Sequence, residues 1–163
     1  MPSKPDEVLI REFQDGDVKA FNELVHRYRE KVYWTARRLV VDHADADDVA
    51  QEVFIKVYDS LKGFRSESSF YTWIYRVTVN AALNLLRKNK LRDFVRFDEI
   101  LAPLFSDEPR PDEHLESKQR RTLIDEAIAK LPEKQRTVFV LRYYEELPYE
   151  EIAKILRRSV GGM

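Results

Sequence analysis

The sequence contains no cysteine, which removes disulfide frameworks, zinc–thiolate sites and thiol nucleophiles together and fits a reducing compartment. Glycine is scarce, four in 163 residues, and no Gly-rich phosphate loop can be found. No stretch approaches the roughly 18 apolar residues of a membrane span. The opening MPSKPDEVLIREFQDGD lacks the basic stretch and long apolar run of a signal peptide. A cytoplasmic chain without membrane insertion is the expectation. Neither sign of charge is in excess: Lys and Arg number 28 against 29 Asp and Glu, so nothing attracts the whole chain to nucleic acid.

Enough remains for folded cores, with 44% hydrophobic and 12% aromatic residues, and the length suits one ordinary domain or two small ones. Small halves bury small cores and lean on partner surfaces. The 35% of charged residues are segregated. Asp42, Asp45, Asp47, Asp48 and Glu52 fall in a stretch without Lys or Arg, whereas Arg87, Lys88, Lys90, Arg92 and Arg96 are opposed by Asp93 alone. An acidic face and a basic face allow two different partners.

Apolar residues recur at helical spacing almost throughout, so the fold class is all-α. Asp17 caps a helix to about Val40, with Phe21, Leu24, Val25, Tyr28, Val32, Ala36 and Leu39 on one face. A second helix starts near Asp45 and is expected to bury Val49, Val53, Ile55, Val57 and Leu61, with Gly63 as a left-handed cap. Ser69 opens a third, reaching about Lys90 with Phe70, Trp73, Ile74, Val77, Ala81 and Leu85 on its stripe. Between Asp98 and about Glu113 lie three prolines and mostly acidic polar residues, an interdomain linker. Helical spacing returns with Leu123, Ile124, Ala127, Ile128 and Leu131, pauses at Pro132, resumes through Val138, Phe139, Leu141 and Tyr143, and restarts after Pro148 with Ile152, Ala153, Ile155 and Leu156. The expected domains are 1–96 and 115–163, joined by a linker over 97–114.

Three segments carry chemistry. In PYEEIAKILRRSVGGM a short helix with small Ala153 inside meets a turn and Ser159, a layout shared equally by a helix-turn-helix and an ordinary helical hairpin. In SFYTWIYRVTVNAALNLLR, Phe70, Tyr71, Trp73 and Tyr75 cannot all join one core stripe, and Tyr71 and Tyr75 are expected to project near Arg76 and Asn80. Rings beside cations and an amide suit unpaired bases, although a packed helix with surface tyrosine tips accounts for the same residues. The acidic helix carries charge in its first turn, where carboxylates favour the helix dipole; it reads as a solvated face or a docking face. Catalysis is not expected. His26, His43 and His114 share no ligand spacing, and the Glu-x-x-His from Glu23 to His26 lacks the second copy that a di-iron bundle needs. No metal, cofactor or catalytic residue is assigned.

The segments GDVKAFNELVHRY, DADDVAQEVFIKVYDSLKGFR, SSFYTWIYRVTVNAALNLLRK and LPEKQRTVFVLRYYEELPYEEIAKILRRSVGG, in this order, resemble the extracytoplasmic-function (ECF) sigma factors of RNA polymerase. The resemblance implies sigma region 2 followed by region 4 with no region 3 between, a factor that directs core polymerase to promoters and opens the minus-ten element. It places Asp48, Gln51, Glu52 and Ile55 against the coiled coil of the polymerase's largest subunit. It gives minus-ten binding to Phe64, Arg65, Trp73, Tyr75, Arg76 and Asn80 in and beyond the loop from Lys62 to Ser69, and phosphate contacts to Arg87, Lys88 and Lys90. Tyr149, Ile152 and Ser159 would form the scaffold of a minus-35 reader whose recognition helix is expected to be missing after Met163. Core polymerase, promoter DNA and an anti-sigma factor are the implied candidate partners. A stand-alone helix-turn-helix regulator with an N-terminal interaction module and a structural helical adaptor are the competing readings.

Overall fold

The computed structural model describes residues 3–65, 68–95 and 116–159, and within them the side chains other than those of 91–95, 116–122 and 157–159. The helices are α1 (Asp6–Gln14), α2 (Val18–Val40), α3 (His43–Leu61), α4 (Phe70–Val95), α5 (Glu116–Ala129), α6 (Glu133–Phe139) and α7 (Tyr149–Ser159). A π-helical turn, Val140–Tyr144, continues α6. The described residues contain no strand. The expected linker lies outside them.

Local chemistry sets the helix starts. The Asp17 carboxylate accepts from the Lys19 amide at 3.0 Å and that of Asp42 from the Asp45 amide at 3.0 Å, each satisfying an amide without an intrahelical partner. Asp42 thereby starts α3 two residues before the expected Asp45. Ser69 caps α4 as expected, its hydroxyl accepting from the Thr72 amide at 3.1 Å. Between α1 and α2 the chain reverses at Gly16, whose φ of 107° favours glycine. Gly63 takes no such conformation. There α3 ends in a tight turn, the Gly63 amide donating to the Ser60 carbonyl and the Phe64 amide to that of Leu61.

Helices α1 to α4 pack around α2, which touches all three of the others. Its stripe Leu24, Tyr28, Val32, Ala36 and Leu39 is buried with Val49, Val53, Val57 and Leu61 of α3 and Phe70, Ile74 and Val79 of α4. Ile55 departs from expectation: it is 63% exposed, because the stripe of α3 steps through Val53 and Val57 and leaves the intervening residue outside. The short α1 was not expected; it buries Leu9, Ile10 and Phe13, and Asp6 binds Arg27 at 2.9 Å and the Tyr28 hydroxyl.

The C-terminal helices rest on this bundle. Helix α7 packs along α4, and α5, α6 and the π turn meet α2. Ile128, Val140, Leu141, Leu147, Ile152 and Ile155 are buried in one apolar cluster with the core of the first bundle. Leu123 and Ile124, expected in the core, are exposed at 57% and 47%, and Ala153 is exposed rather than inside. Tyr143, another expected apolar position, is 63% exposed and stacks on Phe139 at 5.2 Å. Only a narrow stripe of this small group meets a surface it can bury against. Arg136 is buried and donates to the Ala129 carbonyl at 2.9 Å, which closes the end of α5; burial lowers its pKa from the ordinary value.

Helix α2 ends in strain. Val41 has φ 72° and ψ −31°, a region that a β-branched residue rarely enters, and its side chain is largely exposed. Glycine there would relieve the strain while losing little packing, although it adds entropy to the unfolded chain. Val41→Gly is expected to raise stability by about 1 kcal/mol, checked by the midpoint of chemical denaturation; a lower midpoint would show the strain to be negligible.

Candidate nucleic-acid interface

The loop after α3 is held from below by the unexpected first helix. Gln14, the last residue of α1, donates from Nε2 to the carbonyls of Leu61 and Phe64, both at 3.0 Å. The Phe64 ring packs on Trp73 at 4.9 Å and on Phe70 at 6.3 Å. Phe64 and Trp73 are half-buried, with Arg65 exposed beside them. The structure therefore brings Phe64, Arg65 and Trp73 together as an aromatic corner with an adjacent cation. The next two loop residues, 66 and 67, lie outside the described ones.

Further along α4, Asn80 is half-buried, and Arg87, Lys88 and Lys90 are exposed. Lys90 pairs with Glu133 at 2.7 Å, an exposed contact of the kind worth at most about 1 kcal/mol. These cations follow the aromatic corner along one helix, an order suited to a strand whose bases stack first and whose phosphates follow.

Tyr75 and Arg76 depart from expectation. They do not project to solvent but are 2% and 8% exposed, because the π turn and α7 cover this side of α4. The Tyr75 hydroxyl donates to Glu145 Oε2 at 2.6 Å, and the Thr35 hydroxyl of α2 donates to Glu145 Oε1 at 2.8 Å. Arg38 stands 4.0 Å from the same carboxylate and stacks its guanidinium 3.9 Å from the Tyr144 ring centroid. The Thr72 hydroxyl donates to Glu151 Oε2 at 2.7 Å. That hydrogen bond holds the Glu151 carboxyl below its ordinary pKa, aided by Lys154 and by the charge of Arg76. Burial raises the Tyr75 pKa strongly, and the bond to Glu145 adds to it. Tyr71 is only half-buried, with its ring 4.8 Å from that of Tyr75. Glu145 and Glu151 were not among the expected site residues.

On α3, Asp48, Gln51, Glu52 and Ile55 are all exposed. Their spacing of three, four and seven residues puts them on one face of α3. Beside this face an open groove of about 640 Å³ runs between α2 and α3, lined by Val25, Arg29, Tyr33, Ala50, Phe54 and Ile55 among others. An apolar channel edged with carboxylates is the form a partner helix of opposite charge would fit.

Of the expected minus-35 scaffold, Tyr149 is 67% exposed, lying 5.1 Å from the Arg142 guanidinium, and Ile152 is buried. Ser159 is the last residue of α7, and its side chain lies outside the described ones. No helix among the described residues is long and apolar enough to cross a membrane.

Comparison with known proteins finds matches to both groups of helices. Residues 24–92 match sigma-70 region 2 and residues 114–163 match sigma-70 region 4. An ECF RNA polymerase sigma-E factor of Haemophilus influenzae is 39% identical over 163 residues, 96% of this chain and 86% of the relative. A solved engineered region 2 of sigmaE, in complex with GTAAAA, is 44% identical and superposes with a TM-score of 0.52 over 56% of this chain and 97% of its own. CnrH, solved with the cytosolic domain of CnrY, shares the fold at 22% identity, with a TM-score of 0.67 over 93% of this chain and 82% of its own. Region 2 and region 4 matches in sequence order, with a relative of this similarity across almost the whole length, place the chain among the ECF sigma factors of RNA polymerase.

Proposed function

We propose that this sigma factor docks on core polymerase through the α3 face of Asp48, Gln51, Glu52 and Ile55, and holds the minus-ten element with the aromatic corner and α4. Sigma factors direct core polymerase to promoters, and they are initiation factors rather than enzymes. What is proposed is the division of that work among residues: region 2 within 1–96, a linker over 97–114, region 4 over 115–163, acting in the cytoplasm where polymerase and DNA are. The observation that carries the docking face is Ile55. A large apolar side chain 63% exposed, on the same helix face as two carboxylates and beside an apolar groove, suits a partner that buries it and pairs the charges around it. The match to region 2 and region 4 together favours this reading over a stand-alone regulator, which would need no polymerase surface.

For DNA, the 44% identical region 2 solved with GTAAAA supports an oligonucleotide surface on this part of the chain. Phe64 and Trp73 stack a base, Arg65 supplies charge, Asn80 reads a polar edge, and Arg87, Lys88 and Lys90 take phosphates; Tyr75 and Arg76, 2% and 8% exposed under the C-terminal helices, reach DNA only when those helices are displaced. Tyr149, Ile152 and Ser159 support the minus-35 contact of region 4. CnrH was solved in complex with the cytosolic domain of CnrY, which supports a protein partner for this chain as well; the family resemblance makes an anti-sigma factor the candidate.

Three measurements test the assignment. Asp48→Lys with Glu52→Lys should weaken the affinity for core polymerase at least tenfold, since charge reversal in a desolvated contact costs a few kcal/mol; unchanged affinity with a folded variant would sink the docking face. Lys88→Ala should weaken binding to cognate and scrambled single strands equally and lower the salt slope by roughly 0.7, read by fluorescence anisotropy at several salt concentrations. Gln14→Ala removes two bonds worth about 0.5–1.5 kcal/mol each and should reduce cognate affinity without altering that slope. If it leaves affinity untouched, the loop is positioned without α1.

A further inference from the structure

The phosphate contacts assigned on α4 leave the stacked base itself short of positive charge. Arg87, the nearest of them, is 14 positions beyond Trp73, roughly 20 Å along a helix. A strand whose base lies on Phe64 and Trp73 carries phosphates beside that base, and of the exposed cations assigned so far only Arg65 stands near them.

Helix α2 supplies another. Lys31 is exposed, and its ammonium stands 5.5 Å from the Tyr71 ring centroid and 6.0 Å from that of Tyr28. Tyr71 belongs to the first turn of α4 and is half-buried, two residues before Trp73. Lys31 therefore reaches across the seam between α2 and α4, at the end of α4 that carries the aromatic corner. Among the described residues it has neither an ion-pair nor a hydrogen-bond partner. Other cations of α2 are engaged: Asp6 holds Arg27 at 2.9 Å, and Arg38 faces Glu145. Attraction to ring faces orients an ammonium without cancelling its charge, and its three N–H donors stay available.

The place is fixed from beneath. The Tyr28 ring meets Phe70 edge-on at 5.2 Å, and Phe70 in turn touches Phe64 at 6.3 Å and Trp73 at 5.8 Å. One run of rings thus joins Lys31 to the aromatic corner. At the far side the Tyr28 hydroxyl donates to Asp6, the same carboxylate that binds Arg27.

From this arrangement we infer that Lys31 takes a phosphate of the single strand next to the base held at Phe64 and Trp73, so that the DNA surface of region 2 spans α2 as well as α4 and the loop. The inference rests on the assignment of the aromatic corner to the minus-ten strand. A compact charge with rotatable donors suits a phosphate met at several angles. Such a contact positions the strand and reads no base.

The test uses the chain assembled with core polymerase and a fluorescein-labelled single strand carrying GTAAAA, the sequence bound by the 44% identical region 2. Affinity is read by anisotropy at several salt concentrations, after circular dichroism has confirmed that each variant is folded. Lys31→Ala is expected to weaken binding about fivefold near 0.1 M salt and to lower the salt slope by roughly 0.7, the effect of one lost phosphate contact on a single strand. Lys31→Arg keeps the charge and should restore most of both. Lys88→Ala should repeat the loss, and Lys130→Ala, which removes an exposed lysine of region 4, should change neither quantity. Unchanged affinity and slope in Lys31→Ala, with Lys88→Ala lowering both, would overturn the inference and leave the reading of region 2 standing. Equal losses in Lys31→Ala and Lys130→Ala would overturn it by tracing the effect to net charge. A loss without a change in slope would overturn the phosphate contact and assign Lys31 to the packing of Tyr28 and Tyr71. No binding of the strand by the parent complex would overturn the DNA assignment of region 2 itself, and the inference with it.

Discussion

Helix α4 is enclosed on more than one side, and this constraint shapes the rest of the molecule. Phe70, Ile74 and Val79 complete the core made by α2 and α3, while Thr72 and Tyr75, on the same helix, lie under the C-terminal helices. A helix covered in this way cannot leave its polar groups to water, and an unsatisfied buried hydroxyl costs about 1–3 kcal/mol. Region 4 therefore cannot rest on region 2 through apolar contact alone. The carboxylates of Glu145 and Glu151 make the contact possible by accepting from Thr35, Tyr75 and Thr72. Arg38 helps to offset the charge of Glu145, and its stacking on Tyr144 continues the same contact onto the π turn.

The same enclosure decides what could be seen in the sequence. Helix α2 shows a clear stripe, Leu24, Tyr28, Val32, Ala36 and Leu39, because these apolar residues alternate with exposed Lys19, Glu23, Arg29, Glu30 and Lys31; periodicity alone reveals such a helix. In α4 the buried set includes Thr72, Tyr75, Arg76 and Thr78, residue types that suggest a surface, so the pattern pointed Tyr75 outward. Ile55 erred in the opposite direction. An isoleucine among valines looks like core, and only the helical phase set by Val53 and Val57 shows that it lies outside. The first helix has nine residues and three buried apolar side chains, too little periodic signal to stand out, yet Gln14 at its end holds the loop on which the aromatic corner is built.

The docking face and the contact between the two regions differ in legibility for a physical reason. Asp48, Gln51, Glu52 and Ile55 follow one another along a single regular helix, so their spacing fixes their common face without tertiary information. The Glu145 cluster joins α2, α4 and the π turn, with Thr35 and Glu145 110 positions apart in the sequence. In the sequence, Glu145-Glu146 before Leu147-Pro148 reads as a solvated acidic turn. Its role depends on the π turn and on the left-handed Glu146, neither of which has a residue signature, since glycine would be the usual choice at that φ.

Size links these features. The region 4 helices are too short a stretch to bury a large core of their own, and Ile152 and Ile155 of α7 are nearly inaccessible on a helix whose main neighbour is α4. Lifting α7 from α4 would return such side chains toward water at a cost of about 1.5–3 kcal/mol for each fully exposed. The hydroxyl and carboxylate partners, by contrast, would recover hydration and lose little. The apolar part of the contact therefore supplies most of its strength, while the polar part fixes where region 4 sits and which donors it covers. A second surface that accepts Ile152 and Ile155 would remove the larger cost, and the remaining polar contacts, whose net hydrogen bonds are each worth about 1 kcal/mol, would not hold the two groups of helices together on their own.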